Sequence, residues 1–204
     1  MRRLVLEALK DSSSSRPAIF AMSNPTKNAE CTPGEAFSIL GEKVIFASGS
    51  PFDDVDLGNG KIGHSNQGNN MYLFPGIGLG TLLPGARVIS DGMLQAEAER
   101  LASYMKEEVL QGIIYPPISS FIILKLIFQF VLYVLLICTT CRIRDITKEV
   151  AAAIVREAVA EDLAEGYRDM DSCELARLSE EETVEYIKTN MWSPVYPTIV
   201  YKKD

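Results

Sequence analysis

Two asparagine-containing loops hold the side chains of this sequence that are best suited to binding a small polar molecule. Asn24 precedes Pro25, and Asn69 and Asn70 follow Gly68. An asparagine side chain offers a carbonyl acceptor and two amide donors, so it can hold a carboxylate or an amide without adding charge. Asparagine beside proline or glycine is also ordinary turn chemistry. Spacing alone favours the turn interpretation, and binding requires that the two loops meet.

The elements around Asn24 predict a parallel βαβ unit. Apolar runs over residues 17–22 and 44–47 are typical of buried strands. Between them, Thr32 has capping-box spacing to a glutamate three residues on, and Pro33 suits the first helical position. Gly41 is expected to end that helix in the left-handed conformation. A strand, a helix and a strand within about 30 residues favour a parallel sheet.

The carboxyl ends of these strands are where chemistry is expected, because ligands of open parallel sheets bind there. The loops at that edge begin at Ser23 and Ser48. Further on, residues 70–80 are glycine-rich, but Thr81 stands where a dinucleotide fingerprint has its third glycine, and no convincing strand precedes them. Close helix packing through small residues is the favoured interpretation, and Asn59-Gly60 predicts a tight turn.

Three helices are predicted in the second half. One runs from Asp91 to Leu110 and is closed by Gly112, one from about Ile143 to Glu165, and one begins at Ser179 with a capping box. Their apolar stripes are expected to be core: Leu94, Ala98, Leu101, Met105 and Val109 in the first, and Ile146, Val150, Ile154 and Ala158 in the second.

Composition excludes some classes of function. Twenty Lys and Arg against 27 Asp and Glu give a net charge of −7, which argues against a nucleic-acid partner. The four cysteines are scattered and one histidine is present, so a metal site is not expected. Residues 1–6 are briefly basic and apolar, but Glu7 and Asp11 follow, so a surface helix is favoured over a transit peptide.

Long stretches of the chain resemble malic enzymes, and the tail is most similar to the plant mitochondrial NAD-linked type. The matching stretches include Arg-Pro-Ala-Ile-Phe-Ala-Met-Ser-Asn-Pro-Thr, Phe-Ala-Ser-Gly-Ser-Pro-Phe, Ile-Gly-His-Ser-Asn-Gln-Gly-Asn-Asn-Met-Tyr, Ala-Arg-Val-Ile-Ser-Asp-Gly-Met, Ile-Tyr-Pro-Pro and Asn-Met-Trp-Ser-Pro-Val-Tyr, which begin at residues 16, 46, 62, 86, 114 and 190. The resemblance implies the later part of a Rossmann-like α/β domain followed by a helical carboxy-terminal region.

The family oxidises malate with NAD or NADP and decarboxylates it to pyruvate and CO₂, using Mg²⁺ or Mn²⁺. By resemblance, Asn24, Asn69 and Asn70 would bind malate. Asn24, Ser48, Gly49 and Asn69 would contact the cofactor. The single histidine, His64, has no catalytic role in the family pattern and is expected to be a loop residue satisfied by its neighbours.

The general base, the general acid and the metal ligands of the family have no counterpart in this sequence, because in the family they lie upstream of the matching region. The resemblance therefore assigns no catalytic and no metal-binding residue to this chain, and we expect no turnover from it alone. It implies a mitochondrial matrix location and assembly with malic enzyme subunits. The alternative is a non-catalytic fragment that acts as a subunit partner or is anchored in a membrane.

The resemblance also divides the chain. Residues 1–115 would be the later part of the NAD-binding domain, 120–141 an apolar insertion and 142–204 a helical region. Translated intron sequence is one hypothesis for the insertion, because U-rich codons encode its residues. A membrane span is the other, because an 18-residue helix over residues 121–138 would be about 27 Å long, close to the hydrocarbon thickness of a bilayer.

Overall fold

The computed structural model describes residues 2–116, 129–167 and 170–192, with the backbone alone described at residues 2–3, 129–142 and 167. The helices and strands of these residues are α1 (Arg2–Lys10), β1 (Ala18–Ala21), α2 (Pro33–Leu40), β2 (Ile45–Ser48), β3 (Val55–Gly58), β4 (Lys61–Gly63), β5 (Ser65–Gln67), α3 (Phe74–Leu82), α4 (Asp91–Ser103), α5 (Gln129–Ala160), β6 (Gly166–Tyr167), β7 (Met170–Asp171), α6 (Ser172–Arg177) and α7 (Glu180–Asn190). They form two compact units, residues 1–74 with 98–146 and residues 75–97 with 147–204.

A three-stranded parallel sheet in the order β1-β2-β5 organises the first unit. This confirms the predicted α/β fold and the βαβ connection through α2. The core beside the sheet is built from the apolar faces of α1, α2 and the strands, namely Leu6, Ala21, Cys31, Ala36, Phe37, Val44 and Phe46.

Helix α2 begins as predicted. The Thr32 hydroxyl accepts from the Glu35 N–H at 3.2 Å, and the Glu35 carboxylate accepts from the Thr32 N–H at 2.8 Å. This reciprocal pair satisfies two N–H groups that the first helical turn leaves without partners. The prediction for the other end is wrong in part, since Gly41 has a positive φ of 79° but a ψ of −172°, outside the left-handed helical region. The chain must extend there because β2 starts four residues later.

Strand β5 is a correction to the sequence analysis, which found no strand before the glycine-rich stretch. Residues 65–67 pair with β2 in parallel although all three are polar. They are buried or half-buried, and side-chain hydrogen bonds replace apolar contacts, so no hydrophobic pattern marks the strand. The Asn59-Gly60 turn is confirmed, with φ values of 54° and 75° between β3 and β4.

Helix α4 is shorter than predicted and buries a different face. It ends at Ser103, where the following N–H groups bond to carbonyls three residues back, and a 3₁₀ helix over Glu108–Gln111 precedes the left-handed Gly112. Its buried residues are Met93, Glu97 and Leu101, whereas Leu94 is 42% exposed. The predicted apolar stripe was wrong at Leu94, because the buried position of this turn is occupied by Glu97. A prediction from hydrophobic periodicity assigns a glutamate to the solvent-facing side of a helix.

The buried Glu97 carboxyl is only 4% exposed, and its Oε2 atom has no hydrogen-bond partner among the described residues. Burial raises the pKa of this carboxyl from an ordinary 4.5 to about 6. The folded chain therefore favours the protonated form more than the unfolded chain does.

Helices α3 and α5 pack closely through glycine in the second unit. A Cβ added to Gly76 would lie 2.5 Å from Val150 Cγ1, and one added to Gly80 would lie 2.7 Å from Ile154 Cβ. This confirms close helix packing as the function of the glycine-rich stretch. The predicted stripe of α5 is also confirmed, with Ile146, Val150, Ile154 and Ala158 all buried. Ser179 caps α7 as predicted, while α6, capped by Asp171, was missed.

The apolar insertion lies largely outside this description. Residues 120–128 are not among the described residues, and residues 129–141 contribute backbone to α5. Within the described residues, no helix combines the length and apolar character needed to cross a membrane.

Candidate functional site at the carboxyl edge of the sheet

Three loops meet at one edge because three parallel strands end there. Ala21 of β1 is in register with Ser48 of β2, which is in register with Gln67 of β5. The segments that follow contain Asn24, Gly49 and Asn69 respectively. Since adjacent strands lie about 4.8 Å apart, the two asparagine loops start about 10 Å apart on either side of β2. This separation suits a small dicarboxylate or one planar ring.

Asn24 is exposed and fixed by a neighbouring loop. Its Oδ1 atom accepts a hydrogen bond from Ser50 Oγ at 2.5 Å, while its Nδ2 donates to no described residue. Its backbone carbonyl accepts from Asn28 Nδ2 at 3.3 Å, and the peptide bond to Pro25 is cis. The side-chain acceptor is therefore occupied, and the amide donor is left available at the edge of the sheet.

The loop after β2 passes very close to the end of β1. A Cβ on Gly49 would lie 2.5 Å from the Met22 carbonyl oxygen and 2.8 Å from Asn24 Nδ2, so only glycine fits without a shift. Ser48 is fully buried, and its hydroxyl donates to the Ser50 carbonyl at 2.7 Å. Ser48 thus holds the loop in shape from inside, and Gly49 provides the surface beside Asn24.

The second asparagine loop repeats this pattern. Asn69 is half-buried and caps the 3₁₀ helix Asn70–Tyr72, its Oδ1 accepting from the Met71 N–H at 3.0 Å. Its Nδ2 donates to no described residue. Asn70 is exposed, and its side chain likewise has no hydrogen bond within the described part of the chain. A role in the turn and a role in binding are compatible for Asn69, because the turn needs only its side-chain oxygen and leaves its amide N–H groups available.

The chemical character of this edge follows from these contacts. Asn24 and Asn69 both present N–H donors, which recognise the oxygens of a carboxylate or a carboxamide. One negative charge lies nearby, since Glu30 accepts hydrogen bonds from the N–H and hydroxyl of Ser23. Among the described residues, no lysine or arginine donates a hydrogen bond to either asparagine. The edge thus offers hydrogen-bond donors without a basic counter-ion among the described residues, and this makes it a candidate for part of a binding site.

Four residues of this region were missed by sequence reasoning. Asn66 is a buried amide inside β5, Tyr72 and Tyr115 stack on each other, and the Met22 side chain reaches Gly68. A polar residue in a strand is a weak signal for Asn66, because burial of an amide requires partners that only the fold supplies. No spacing rule predicts the tyrosine pair, which is 43 residues apart in sequence.

A cavity lies at the opposite edge of the sheet in this unit. It has a volume of about 800 Å³ and lies beside residues that precede the strands, including Arg16, Val44 and His64, at the amino edge of the sheet. Three of its four basic groups have partners: Lys61 lies 2.5 Å from Glu42, Arg16 donates to the Val109 carbonyl at 2.6 Å, and His64 lies 2.9 Å from Asp54. The fourth, Lys43, also lines the cavity. This confirms His64 as a satisfied loop residue. The asparagine edge is the stronger candidate, because ligands of open parallel sheets bind beyond the carboxyl ends of the strands.

The described residues contain no group of three or more His, Cys, Asp or Glu side chains placed to hold a metal ion. Of the cysteines, Cys31 is buried and Cys173 exposed. The side chains of Cys138 and Cys141 lie outside the described residues.

Over nearly its whole length, the chain is similar to proteins of one family. Residues 1–126 match the family model described as malic enzyme, NAD binding domain. The chain is 68% identical over 98% of its length to an NAD-dependent malic enzyme, mitochondrial, from Amaranthus hypochondriacus, and 64% identical over 98% to NAD-dependent malic enzyme 1, mitochondrial, from Arabidopsis thaliana. It is also 35% identical over 91% of its length to an NADP-dependent malic enzyme from Homo sapiens.

These matches cover part of each relative. The chain spans 29% of the Amaranthus and Arabidopsis proteins and 27% of the human protein. A crystal structure of malic enzyme from Pyrococcus horikoshii Ot3 has the same fold, with a TM-score of 0.51 and 24% identity over 89% of this chain and 32% of that one. The chain therefore belongs to the malic enzyme family, and residues 1–126 correspond to its NAD-binding domain.

Proposed function

We propose that this chain supplies one half of the malate- and NAD-binding site of a malic enzyme, which converts malate to pyruvate and CO₂. The observation that supports this proposal is the pair of loops flanking β2. In these loops the side-chain oxygens of Asn24 and Asn69 accept hydrogen bonds within the protein, and their amide N–H groups donate to no described residue. Such donors suit the carboxylates of malate and the carboxamide of nicotinamide. Asn70 is the additional substrate contact, and Gly49, held in place by Ser48, borders the cofactor.

NAD is the proposed cofactor, supported by the NAD-dependent relatives from Amaranthus and Arabidopsis. NADP is the second candidate, since the human relative is NADP-dependent. The family's Mg²⁺ or Mn²⁺ polarises the substrate oxygen during decarboxylation. The described residues offer no cluster for that ion, so we assign no metal step to this chain. The names of the same plant relatives support a mitochondrial location, for which we propose the matrix.

This chain is not expected to turn over malate by itself. It spans 29% of its plant relatives, and we assign it binding groups only. Purified chain supplied with malate, NAD and Mn²⁺ is therefore expected to form no NADH. Measurable NADH formation would show that the chain holds the complete catalytic machinery.

Binding is the sharper test. NADH fluorescence titrations should give weak, saturable binding that Asn24→Ala and Asn69→Ala each weaken about tenfold, as expected for loss of one hydrogen bond to a charged or strongly polar group. Asn190→Ala in α7 is the matched control, because it removes an amide whose Nδ2 donates to the Tyr186 carbonyl at 2.9 Å. Equal binding by all three variants would refute the assignment.

A non-catalytic role as a partner of malic enzyme subunits is the second candidate, favoured by the partial coverage of the relatives. It predicts co-purification of the chain with a full-length malic enzyme as a homo- or hetero-oligomer. Carbonate extraction tests the remaining variant of this role, membrane attachment through residues 121–138, because an inserted span stays with the membrane.

A further inference from the structure

The loop over residues 112–116 is tied to the sheet by one buried amide. Asn66 of β5 donates from Nδ2 to the Phe46 and Gly112 carbonyls, both at 2.8 Å, and its Oδ1 accepts from the Ile114 N–H at 2.8 Å. Asn66 is 7% exposed, its bond to the Phe46 carbonyl is buried, and its bonds to Gly112 and Ile114 are partly buried. The backbone on either side of Tyr115 is therefore held in a defined position relative to β2 and β5.

The Tyr115 ring is also held. It stacks on Tyr72 with a centroid distance of 5.7 Å and an interplanar angle of 14°. Tyr72 is 1% exposed, and its hydroxyl donates to the Pro116 carbonyl, which closes a second link between the same loop and the segment after Asn69. Stacking in this geometry fixes the direction of the ring and hence the position of its hydroxyl.

That hydroxyl lies at the asparagine edge. A Cβ built on Gly68 would lie 3.3 Å from Tyr115 Oη and 3.0 Å from Met22 Cε, so the phenol and the methionine meet at the α-carbon that precedes Asn69. Met22 in turn follows β1 and leads into the Asn24 loop. The phenol thus lies beside Gly68 at the start of the Asn69 loop, near the side chain of a residue that leads into the Asn24 loop.

The Tyr115 hydroxyl has no hydrogen-bond partner among the described residues, although the residue is half-buried. The hydroxyl is not among the fully buried polar atoms that lack a partner, so it is open to solvent and to a ligand. Burial raises the pKa of the Tyr115 phenol above its ordinary value of 10, which keeps the group a neutral donor.

We propose that Tyr115 is a further ligand-binding residue of this site, donating a hydrogen bond to an oxygen of the bound ligand. The inference rests on the proposed function and deepens it. The recognised chemistry is a carboxylate or carboxamide oxygen, which either malate or the nicotinamide end of the cofactor supplies. Tyr115 would complete a set of three neutral donors with Asn24 and Asn69.

The test uses the full chain labelled with ¹³Cζ-tyrosine, titrated separately with NADH and with L-malate. The Tyr115 resonance is assigned by its absence in Tyr115→Phe. We expect it to shift with one of the two probes, which identifies the oxygen that it binds. Tyr115→Phe should raise the dissociation constant of that probe three- to tenfold, the change expected for one neutral hydrogen bond. Tyr186→Phe is the matched removal of a phenol whose hydroxyl lies 3.5 Å from the Leu83 carbonyl.

The outcomes separate the inference from the function on which it rests. If Asn24→Ala weakens binding while Tyr115→Phe does not and the Tyr115 resonance stays still, the inference is wrong and the proposed function stands. If neither variant weakens binding, or neither probe binds, both are wrong. The resonance is read in the wild-type chain, so the test does not depend on the variant being folded.

Discussion

Replacing Gly49 by alanine should push the loop after β2 away from the Asn24 loop. The added Cβ would lie 2.5 Å from the Met22 carbonyl oxygen, about 0.9 Å short of the 3.4 Å at which ordinary contacts begin. The obstructing atom is backbone, so it cannot move aside like the end of a flexible side chain. The Gly49 N–H also donates to the Ala21 carbonyl at 3.1 Å, which ties this loop to β1 and opposes the shift.

Two magnitudes follow from that displacement. Overpacking of this kind costs about 1–3 kcal/mol, which corresponds to a fall in melting temperature of roughly 2–12 °C for a chain of this size. A shift near 0.9 Å would also stretch the 2.5 Å bond between Ser50 Oγ and Asn24 Oδ1 to the limit of hydrogen bonding. Loss of the hydrogen bond that orients Asn24 should weaken NADH binding about tenfold, as expected for Asn24→Ala.

The assay compares thermal unfolding by circular dichroism and NADH titration in Gly49→Ala and Gly34→Ala. Gly34 lies in the first turn of α2, and a Cβ there would meet nothing within 4 Å. The control should therefore unfold and bind like wild type. If Gly49→Ala also behaves like wild type in both measurements, the close approach of the two loops does not shape the site.

Three further substitutions test the fold. Because the pKa of Glu97 is raised to about 6 in the folded chain, wild type loses stability as the pH rises through about 6. Glu97→Gln should therefore be more stable than wild type by about 2 kcal/mol above pH 6, and this gain should disappear below pH 4.5. Urea denaturation at pH 4 and pH 8 measures the difference, and a difference that does not depend on pH would contradict the prediction. Gly80→Ala should be less stable than Gly78→Ala by about 1–3 kcal/mol, because only a Cβ added to Gly80 would meet Ile154, at 2.7 Å. Equal melting temperatures of the two variants would contradict close packing of α3 against α5. Asn66→Ala should destabilise by about 2 kcal/mol or more, because one buried and two part-buried backbone groups lose their partner. A loss below about 1 kcal/mol in urea would show that water replaces the amide.

Most elements with a local signal were predictable from the sequence. The capping boxes at Thr32 and Ser179, the Asn59-Gly60 turn and the apolar strands β1 and β2 depend on residues within a few positions of one another. These elements are stabilised by contacts between residues that are close in sequence, so they can be predicted without knowledge of the fold.

Elements stabilised by distant partners were not predictable. Strand β5 consists of polar residues, and the partners of its Asn66 lie 20 to 48 positions away. Helix α4 buries Glu97 where the pattern expected solvent, which shifted the predicted stripe. In both cases tertiary contacts override the side-chain periodicity on which prediction relies.

The candidate site divides in the same way. The asparagines could be found from residue type and from the rule that ligands bind beyond the carboxyl ends of parallel strands. The details could not, because the bond from Ser50 to Asn24 and the position of Tyr115 depend on register and on loops remote in sequence. Sequence reasoning named Ser48 as a cofactor contact, and its full burial restricts it to acting through the loop that it holds.

The most direct test of the central proposal follows the side-chain amide groups of Asn24 and Asn69 by ¹H–¹⁵N NMR while NADH is added to the full chain. Each NH₂ pair is assigned by its absence in the corresponding alanine variant. The proposal predicts that both pairs shift along one saturable curve, because their donors face the ligand while their oxygens are bound within the protein. Shifts confined to residues of the amino-edge cavity, such as Arg16 and Lys61, would contradict it.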